Sequence, residues 1–192
     1  MKNRSLFALF MILTLSLAAQ EKTETVFGRN GLKFSGIWGA SSSNFSFYDL
    51  DDQGNTAFYN GGYGGLEFGR SVFVGWAGYS MRDEVDLEDV NENFSLKYNG
   101  PMLSIIPYAR KVVHPRFNAV IGSGKLRIDD DLVDRVMVIQ PSIGIEVNVL
   151  RWFRLGLEGG YRMVTNVNTP NISAQDVSSP FAQIDLRFGI SW

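Results

Sequence analysis

The end of the chain, residues 180–192, is the segment that most constrains the fold. From Ala182 onward apolar and polar side chains alternate strictly, which is the period of an extended strand. The apolar face holds Ala182, Ile184, Leu186, Phe188, Ile190 and Trp192, and the other face holds Gln183, Asp185, Arg187, Gly189 and Ser191. The pattern predicts a β-strand with one apolar face.

Two other segments alternate in the same way. Residues 137–149 place Val and Ile opposite Gln140 and Glu146, and residues 153–163 place aromatic and aliphatic side chains opposite Arg154, Glu158 and Arg162. Along the chain we count eight strands separated by turn and loop signals, with short connections after strands two, four and six and longer ones after strands one, three, five and seven.

Several boundaries and facings are expected. The first strand starts near Leu32 with Phe34 and Trp38 on one face, and a loop covers about 46–56. A bulge is expected at Gly100 and Pro101, and a turn at 113–116. The facing of the third strand, 72–81, is ambiguous.

A barrel with one apolar face per strand is either soluble or membrane-embedded, depending on which face points outward. The alternating loop lengths and strands of about ten residues or more favour a membrane-spanning barrel. Trp152 and Trp192 lie at strand ends, where aromatic girdles occur. We therefore predict an all-β fold, an eight-stranded antiparallel up-and-down transmembrane β-barrel.

The start of the chain has the form of a secretory signal peptide. A basic start with Lys2 and Arg4 precedes an apolar run over 6–17 and the small residues Ala18 and Ala19. The run is too short for a helical anchor in the inner membrane. We predict a signal peptide over 1–20, cleaved after Ala19 or Gln20, and a barrel domain over 21–192.

Composition excludes several functions. Cysteine is absent, which excludes disulfides, thiolate metal sites and thiol catalysis. The net charge of −2 becomes more negative when Lys2 and Arg4 leave with the signal peptide, so no nucleic-acid partner is expected.

The sequence from Glu21 onward resembles the small outer-membrane β-barrel proteins of diderm bacteria (porin-family, PorT-like or OmpX-like). The resemblance is carried by residues 101–108, by the sixth and seventh strands and by Phe188, Ile190 and Trp192. The Ala-Gln-Glu segment at the cleavage site is similar to that of exported Bacteroidota proteins. The resemblance implies a multi-pass protein of the cell outer membrane whose last strand, with its terminal aromatic residue, is the signal for the outer-membrane assembly machinery.

If the apolar faces contact lipid, the charged side chains point into the barrel. The predicted interior charge network consists of Glu67, Glu146, Arg154, Glu158, Arg162, Asp185 and Arg187. We expect Glu146 diagonal to Arg154 and Glu158, Glu158 opposite Arg187, and Arg162 near Asp185. The network either fills and rigidifies the barrel or forms an ion path, and eight strands leave room only for side chains.

Most acidic residues cluster in the predicted external loops. These are Asp49, Asp51, Asp52, Asp83, Glu84, Asp86, Glu88, Asp89, Glu92, Asp129, Asp130, Asp131, Asp134 and Asp176. Residues 49–55 partly fit a calcium-binding EF-hand loop, but Asn60 stands where the bidentate Glu is required. We predict no dedicated metal site or cofactor, and solvated loops that face divalent cations, lipopolysaccharide or an extracellular partner.

The sequence offers no histidine base for catalysis, and although a carboxylate pair can also catalyse, nothing in the sequence marks one out. The only histidine, His114, is expected in a periplasmic turn, where no Ser/His/acid arrangement can form externally. We therefore predict no enzymatic activity and a monomer with a structural or surface-interaction role. The alternatives are a porin-like transporter or conduit for small molecules and a secreted soluble ligand-binding barrel.

Overall fold

Nine β-strands contain most of the residues that the computed structural model describes, which are 33–50, 53–82, 85–87, 92–128, 132–168 and 173–192. The predicted signal peptide lies outside these residues. The strands are β1 (Phe34–Leu50), β2 (Gln53–Phe68), β3 (Val72–Met81), β4 (Val85–Leu87), β5 (Glu92–Ile105), β6 (Val113–Ile128), β7 (Leu132–Leu150), β8 (Phe153–Thr165) and β9 (Ser179–Ser191).

Eight long strands close into a barrel in which every neighbouring pair is antiparallel. β1 pairs with β2 and with the last strand, β9, and β3 pairs with β5. The three-residue β4 pairs with the start of β5, beyond the end of the β3–β5 ladder. The prediction of an eight-stranded up-and-down barrel is therefore confirmed. Within the described part of the chain, no helix has the length and apolar character needed to cross a membrane.

The outer face of the barrel wall carries the exposed apolar side chains, and its inner face carries the buried charged side chains. On β9 Ile184 and Leu186 are exposed, whereas Asp185 is fully buried between them. β3, whose facing was ambiguous, turns Phe73 and Tyr79 inward and Trp76 outward. Since burying a charge is costly unless it is paired, this arrangement requires the interior charges to be paired.

The first hairpin is longer than predicted. The prediction of a loop over about 46–56 is wrong, because β1 and β2 remain paired up to Leu50 and Gln53. β6 and β7 likewise pair up to Ile128 and Leu132, so of the four connections expected to be long only β3–β5 and β8–β9 are long. The predicted alternation of loop lengths therefore holds only in part, since the β5–β6 connection at 106–112 is longer than the connections of β1–β2 and β6–β7. Ser46, where the loop was expected to begin, is buried inside the barrel, as is Asn44 before it.

A β-bulge near the start of β1 changes its facing. The register shifts between Phe34 and Gly36, so that Phe34 is exposed while Trp38 is buried. The prediction that Phe34 and Trp38 share a face is therefore wrong, because one extra residue reverses the side-chain alternation that follows it.

No bulge occurs at Gly100 and Pro101. The register of β5 is continuous with β3, where Pro101 is opposite Trp76 and Gly100 is opposite Ala77. A Cβ atom on Gly100 would lie 2.1 Å from the carbonyl oxygen of Ile121 on the next strand. The glycine permits a close approach of two strands and does not interrupt them.

The turn predicted at 113–116 is also wrong. The connection between β5 and β6 is at 106–112, and β6 begins at Val113, so His114 and Arg116 point into the barrel and are buried. Pro115 is tolerated in the strand because β6 pairs there with β7 alone, and its ladder with β5 ends at Phe117.

Candidate functional site

The charged interior of the barrel is the candidate functional site. The structure places all seven residues of the predicted network inside, and adds Arg116 and His114. Among the described residues the buried ionisable groups of opposite charge are thus four arginines (Arg116, Arg154, Arg162 and Arg187) and four acids (Glu67, Glu146, Glu158 and Asp185). The interior is electrically balanced without counting His114.

Glu146 on β7 is the centre of this cluster. One carboxylate oxygen, Oε1, lies 3.1 Å from His114 Nε2 and 3.3 Å from Arg154 Nη1. The other, Oε2, accepts a short hydrogen bond from Arg187 and lies 3.5 Å from Arg116 Nη1. Glu146 is opposite Gly156 and so diagonal to Arg154 and Glu158, as the alternation predicts.

Arg154 connects this centre to the end of the barrel that carries the short turns. Its Nη1 donates a hydrogen bond to Glu67 Oε2 at 3.1 Å, and its guanidinium carbon lies 3.8 Å from the ring centroid of Trp38. The hydroxyl of Ser191 donates to the other oxygen of Glu67 at 2.6 Å. Both oxygens of Glu67 are therefore satisfied.

Arg116 bridges three carboxylates and is the residue that the sequence analysis missed. Its Nη1 lies 3.2 Å from Asp185 Oδ2 and 3.2 Å from Glu158 Oε1, besides its contact with Glu146. The approach to Glu158 Oε1 is an ion pair without hydrogen-bond geometry. The other oxygen of Glu158 accepts a hydrogen bond from the Ser142 hydroxyl at 2.9 Å.

Arg162 has a different environment. Its guanidinium donates to Ser46 Oγ at 2.7 Å and to Asn44 Oδ1 at 3.1 Å, and it lies 3.9 Å from the ring centroid of Tyr59. In the part of the chain that the structure describes, it contacts no carboxylate within ion-pair distance. Neutral oxygens and aromatic faces therefore hold this cation.

The register of the last hairpin differs from the expected one. Arg187 is opposite Arg154, and Glu158 is opposite Gln183, so the expected pair of Glu158 with Arg187 is wrong. Arg162 is opposite Ser179, and Asp185 instead binds Arg116 and the hydroxyl of Ser42. A shift of register between two strands changes which residues face each other. The alternation of side chains alone does not determine that register.

Apolar side chains close the interior beyond Arg162, toward the end of the barrel with the longer loops. These are Leu96, Leu126, Val136, Val138, Val164 and Val177, all buried. Val177 belongs to the connection between β8 and β9. The interior of an eight-stranded barrel has room only for side chains. Here a charged layer and an apolar layer follow one another along the barrel.

His114 is not arranged for catalysis. Its Nδ1 lies 3.1 Å from the carbonyl oxygen of Lys111, and its Nε2 is bonded to Glu146. Among the described residues it contacts no hydroxyl that could act as a nucleophile. The ring is part of the ion network, and the expectation that it lies in a turn is corrected.

The acidic loop residues fall mostly outside the described part of the chain, including Asp51, Asp52, Asp83, Glu84, Glu88, Asp89 and 129–131. The described residues contain no group of three or more His, Cys, Asp or Glu side chains placed to hold a metal ion. Asp49 and Gly54 face each other in the β1–β2 ladder, which is not the conformation of an EF-hand loop.

The C-terminal residues lie on the outer face at the turn end. Phe188, Ile190 and Trp192 are all exposed. The Trp192 ring packs edge-to-face on Phe34 at 4.9 Å between centroids, and its backbone N–H donates to the Ser35 carbonyl at 2.8 Å. The residues proposed as an assembly signal are thus accessible in the finished barrel.

Solved structures of small outer-membrane proteins have the same fold. Neisserial surface protein A matches with a TM-score of 0.59 and 13% identity, over 83% of this chain and 99% of that chain. Ail, the attachment invasion locus protein of Yersinia pestis, matches with a TM-score of 0.53 and 13% identity, over 82% and 99%. OprG from Pseudomonas aeruginosa matches with a TM-score of 0.54 and 10% identity, over 83% and 97%.

This chain therefore has the same eight-stranded β-barrel fold as these outer-membrane proteins. No protein-family model matches the sequence, and no curated protein matches it.

Proposed function

We propose that the chain is an integral, monomeric protein of the bacterial outer membrane with a structural or surface-interaction role. The observation that carries the proposal is the inverted barrel: apolar side chains such as Ile143, Leu157 and Ile190 are more than half exposed, while four arginines and four acids are buried inside. In water such a barrel would expose its apolar wall, so lipid is the surrounding that fits it. A secreted soluble ligand-binding barrel requires the opposite arrangement.

The partner-facing part in this proposal is the loop end. Fourteen of the 20 acidic residues lie in or beside the connections at that end, and divalent cations would bridge them to lipopolysaccharide or to an extracellular partner. One neighbour, Ail, was solved with the heparin analogue sucrose octasulfate. The acidic loops of this chain disfavour a polyanion there, because like charges repel.

The proposal also includes the resemblance of the sequence to PorT-like or OmpX-like proteins. A PorT-like or OmpX-like protein of Bacteroidota would be exported, cleaved near Ala19 and inserted by the outer-membrane assembly machinery. The proposal includes no catalysis, since the single histidine is bonded to Glu146 within the network.

The rival function is a porin-like conduit for small molecules. The filled interior argues against it, because the ion pairs around Glu146 and the apolar layer around Leu126 lie one after the other along the barrel. A closed lumen supports the structural role, whereas an open lumen supports transport.

Two measurements test the proposal. The mature chain, expressed in a diderm host, should fractionate with the outer membrane and require detergent for solubility. In planar bilayers it should hold conductance near the background, with an open porin in the same bilayers as the positive control. Steady ion-selective currents would show that the protein is a conduit and would contradict the structural role. A mature chain that is soluble without detergent would rule out the membrane barrel.

A further inference from the structure

The short turns at one end of the barrel each carry an arginine. Arg70 is in the β2–β3 turn, Arg110 in the β5–β6 turn and Arg151 in the β7–β8 turn. The three line one cleft of about 720 Å³, and Arg154 from the interior also lines it. We call this space the turn-end cleft. It is lined by four arginine residues, of which Arg154 is bonded to the interior carboxylates.

The three turn arginines are not neutralised by their surroundings. Arg70, Arg110 and Arg151 take part in no ion pair with a described residue. The described carboxylate side chains nearest this end, Glu67 and Glu146, are fully buried and already bonded to Arg154. The cleft therefore has an excess of positive charge, although the whole chain is slightly acidic.

The turns that carry the arginines are held in place. The Asn148 amide donates to the carbonyl oxygens of Ala109 at 3.0 Å and Lys111 at 2.7 Å, on both sides of Arg110. The backbone N–H of Arg70 donates to Ser35 Oγ at 2.9 Å. In the third turn the carbonyl of Trp152 accepts from Gly189 N–H at 3.0 Å. Such fixed supports reduce the ordering cost of binding an anion.

We infer that the turn-end cleft binds phosphate groups. A guanidinium presents parallel N–H donors that match phosphate oxygens, and several guanidiniums can share the oxygens of one phosphorylated group. The volume of the cleft exceeds the space needed for a single small anion such as a carboxylate. The inference goes beyond the proposed outer-membrane role, and the phosphate could belong to a soluble molecule or to a lipid headgroup.

The first experiment measures binding of tripolyphosphate to the full-length mature protein in a non-ionic detergent, by isothermal titration calorimetry. The matched variants are Arg110→Gln/Arg151→Gln in the cleft and Arg127→Gln/Arg135→Gln at the loop end, which remove the same charge. We expect about a tenfold loss of affinity for each cleft arginine removed, and no comparable loss for the loop-end pair.

Heat-modifiable gel mobility checks that every variant is folded, and the single variants Arg110→Gln and Arg151→Gln replace the double variant if it fails to fold. Equal weakening in the cleft and loop-end variants would overturn the inference, because it would reduce the effect to net charge.

The second experiment distinguishes the source of the phosphate. Native mass spectrometry from nanodiscs that mix phosphatidylglycerol with phosphatidylcholine reports retained lipid. If phosphatidylglycerol is retained in a way that depends on Arg110 and Arg151, and tripolyphosphate does not bind, the ligand of the cleft is a lipid headgroup. If tripolyphosphate binds, the cleft recognises the phosphate group itself. The absence of both overturns the inference. This outcome is separate from failure of the outer-membrane proposal, which would appear as solubility without detergent.

Discussion

Individual charged residues determine whether the interior of this barrel is stable. Glu146 contacts three arginines and a histidine, and Arg154 satisfies two carboxylates at once. Removing one partner of a buried pair leaves an uncompensated charge, which costs far more than loss of an exposed pair.

Arg154→Ala should therefore destabilise the barrel by about 3 to 5 kcal/mol, because Glu67 and Glu146 would each lose a buried cation. The measurement is urea unfolding of protein refolded into lipid vesicles. The control Arg127→Ala removes an exposed arginine and should change stability by less than about 1 kcal/mol. Equal effects of the two variants would place Arg154 in water.

Arg162→Lys should destabilise the protein although it keeps the charge. A lysine cannot reproduce the separate donors to Ser46 and Asn44, nor the planar stacking on Tyr59. We expect a loss of about 1 to 3 kcal/mol, typical of buried polar atoms left without a partner. The exposed substitution Arg135→Lys is the control, and a neutral Arg162→Lys would show that charge alone matters at this position.

At the level of the strands, we expect close contacts between neighbouring strands to determine the stability of the barrel and the last strand to determine its insertion. Gly100 on β5 lies against the backbone of Gly122 on β6, where a Cβ atom on Gly100 would be 2.4 Å from the Gly122 Cα. Gly78 on β3 is a useful comparison, since an added Cβ there would meet Asn99 Cβ at an ordinary 3.5 Å.

Gly100→Ala should thus destabilise the barrel by about 1 to 3 kcal/mol, because two backbone segments would have to separate. Gly78→Ala should be nearly neutral. Both variants are compared in the same vesicle unfolding assay, and a neutral Gly100→Ala would show that the β5–β6 pair can move apart freely.

Trp192→Asp should abolish insertion into the outer membrane while secretion continues. The outward aromatic residue at the end of β9 is the proposed assembly signal, and a charge there would also face lipid. The assay is heat-modifiable mobility of protein from the membrane fraction. Trp152→Asp, a change of a second exposed tryptophan at the same end, should keep insertion. Normal assembly of Trp192→Asp would contradict the proposed signal.

At the scale of the whole molecule, charge is distributed unequally between the two ends. Acidic residues dominate the loop end, whereas Arg70, Arg110 and Arg151 lie at the turn end. The short turns give the expected orientation, with the turns in the periplasm and the acidic loop end outside the cell.

Single cysteines test that orientation without background, because the chain has none of its own. Cysteines at Asp86 and Asp130 should react with an impermeant maleimide on whole cells, and one at Arg110 should not. His114 is unsuitable as the turn-end position, since its side chain is buried. Labelling of the cysteine at Arg110 alone would show that the orientation is the opposite of the expected one.

The barrel architecture follows from the alternation of side chains along the sequence. Strict alternation around Arg154, Glu158, Asp185 and Arg187 fixes which face of each strand is apolar, because a strand places successive side chains on opposite faces. The separation of charged from apolar residues on these strands follows from the same period. The number of strands was predicted from the turn and loop signals between them.

Which residues contact each other depends on the folded barrel. The bulge at the start of β1 turned Trp38 inward, the β8–β9 register placed Arg187 opposite Arg154, and the continuation of β6 past Pro115 brought His114 and Arg116 to Glu146. Alternation assigns a face but not a register, and closure of the barrel sets the distances across its interior. For the same reason the three turn arginines, 81 residues apart at the extremes, share one cleft only after the barrel closes.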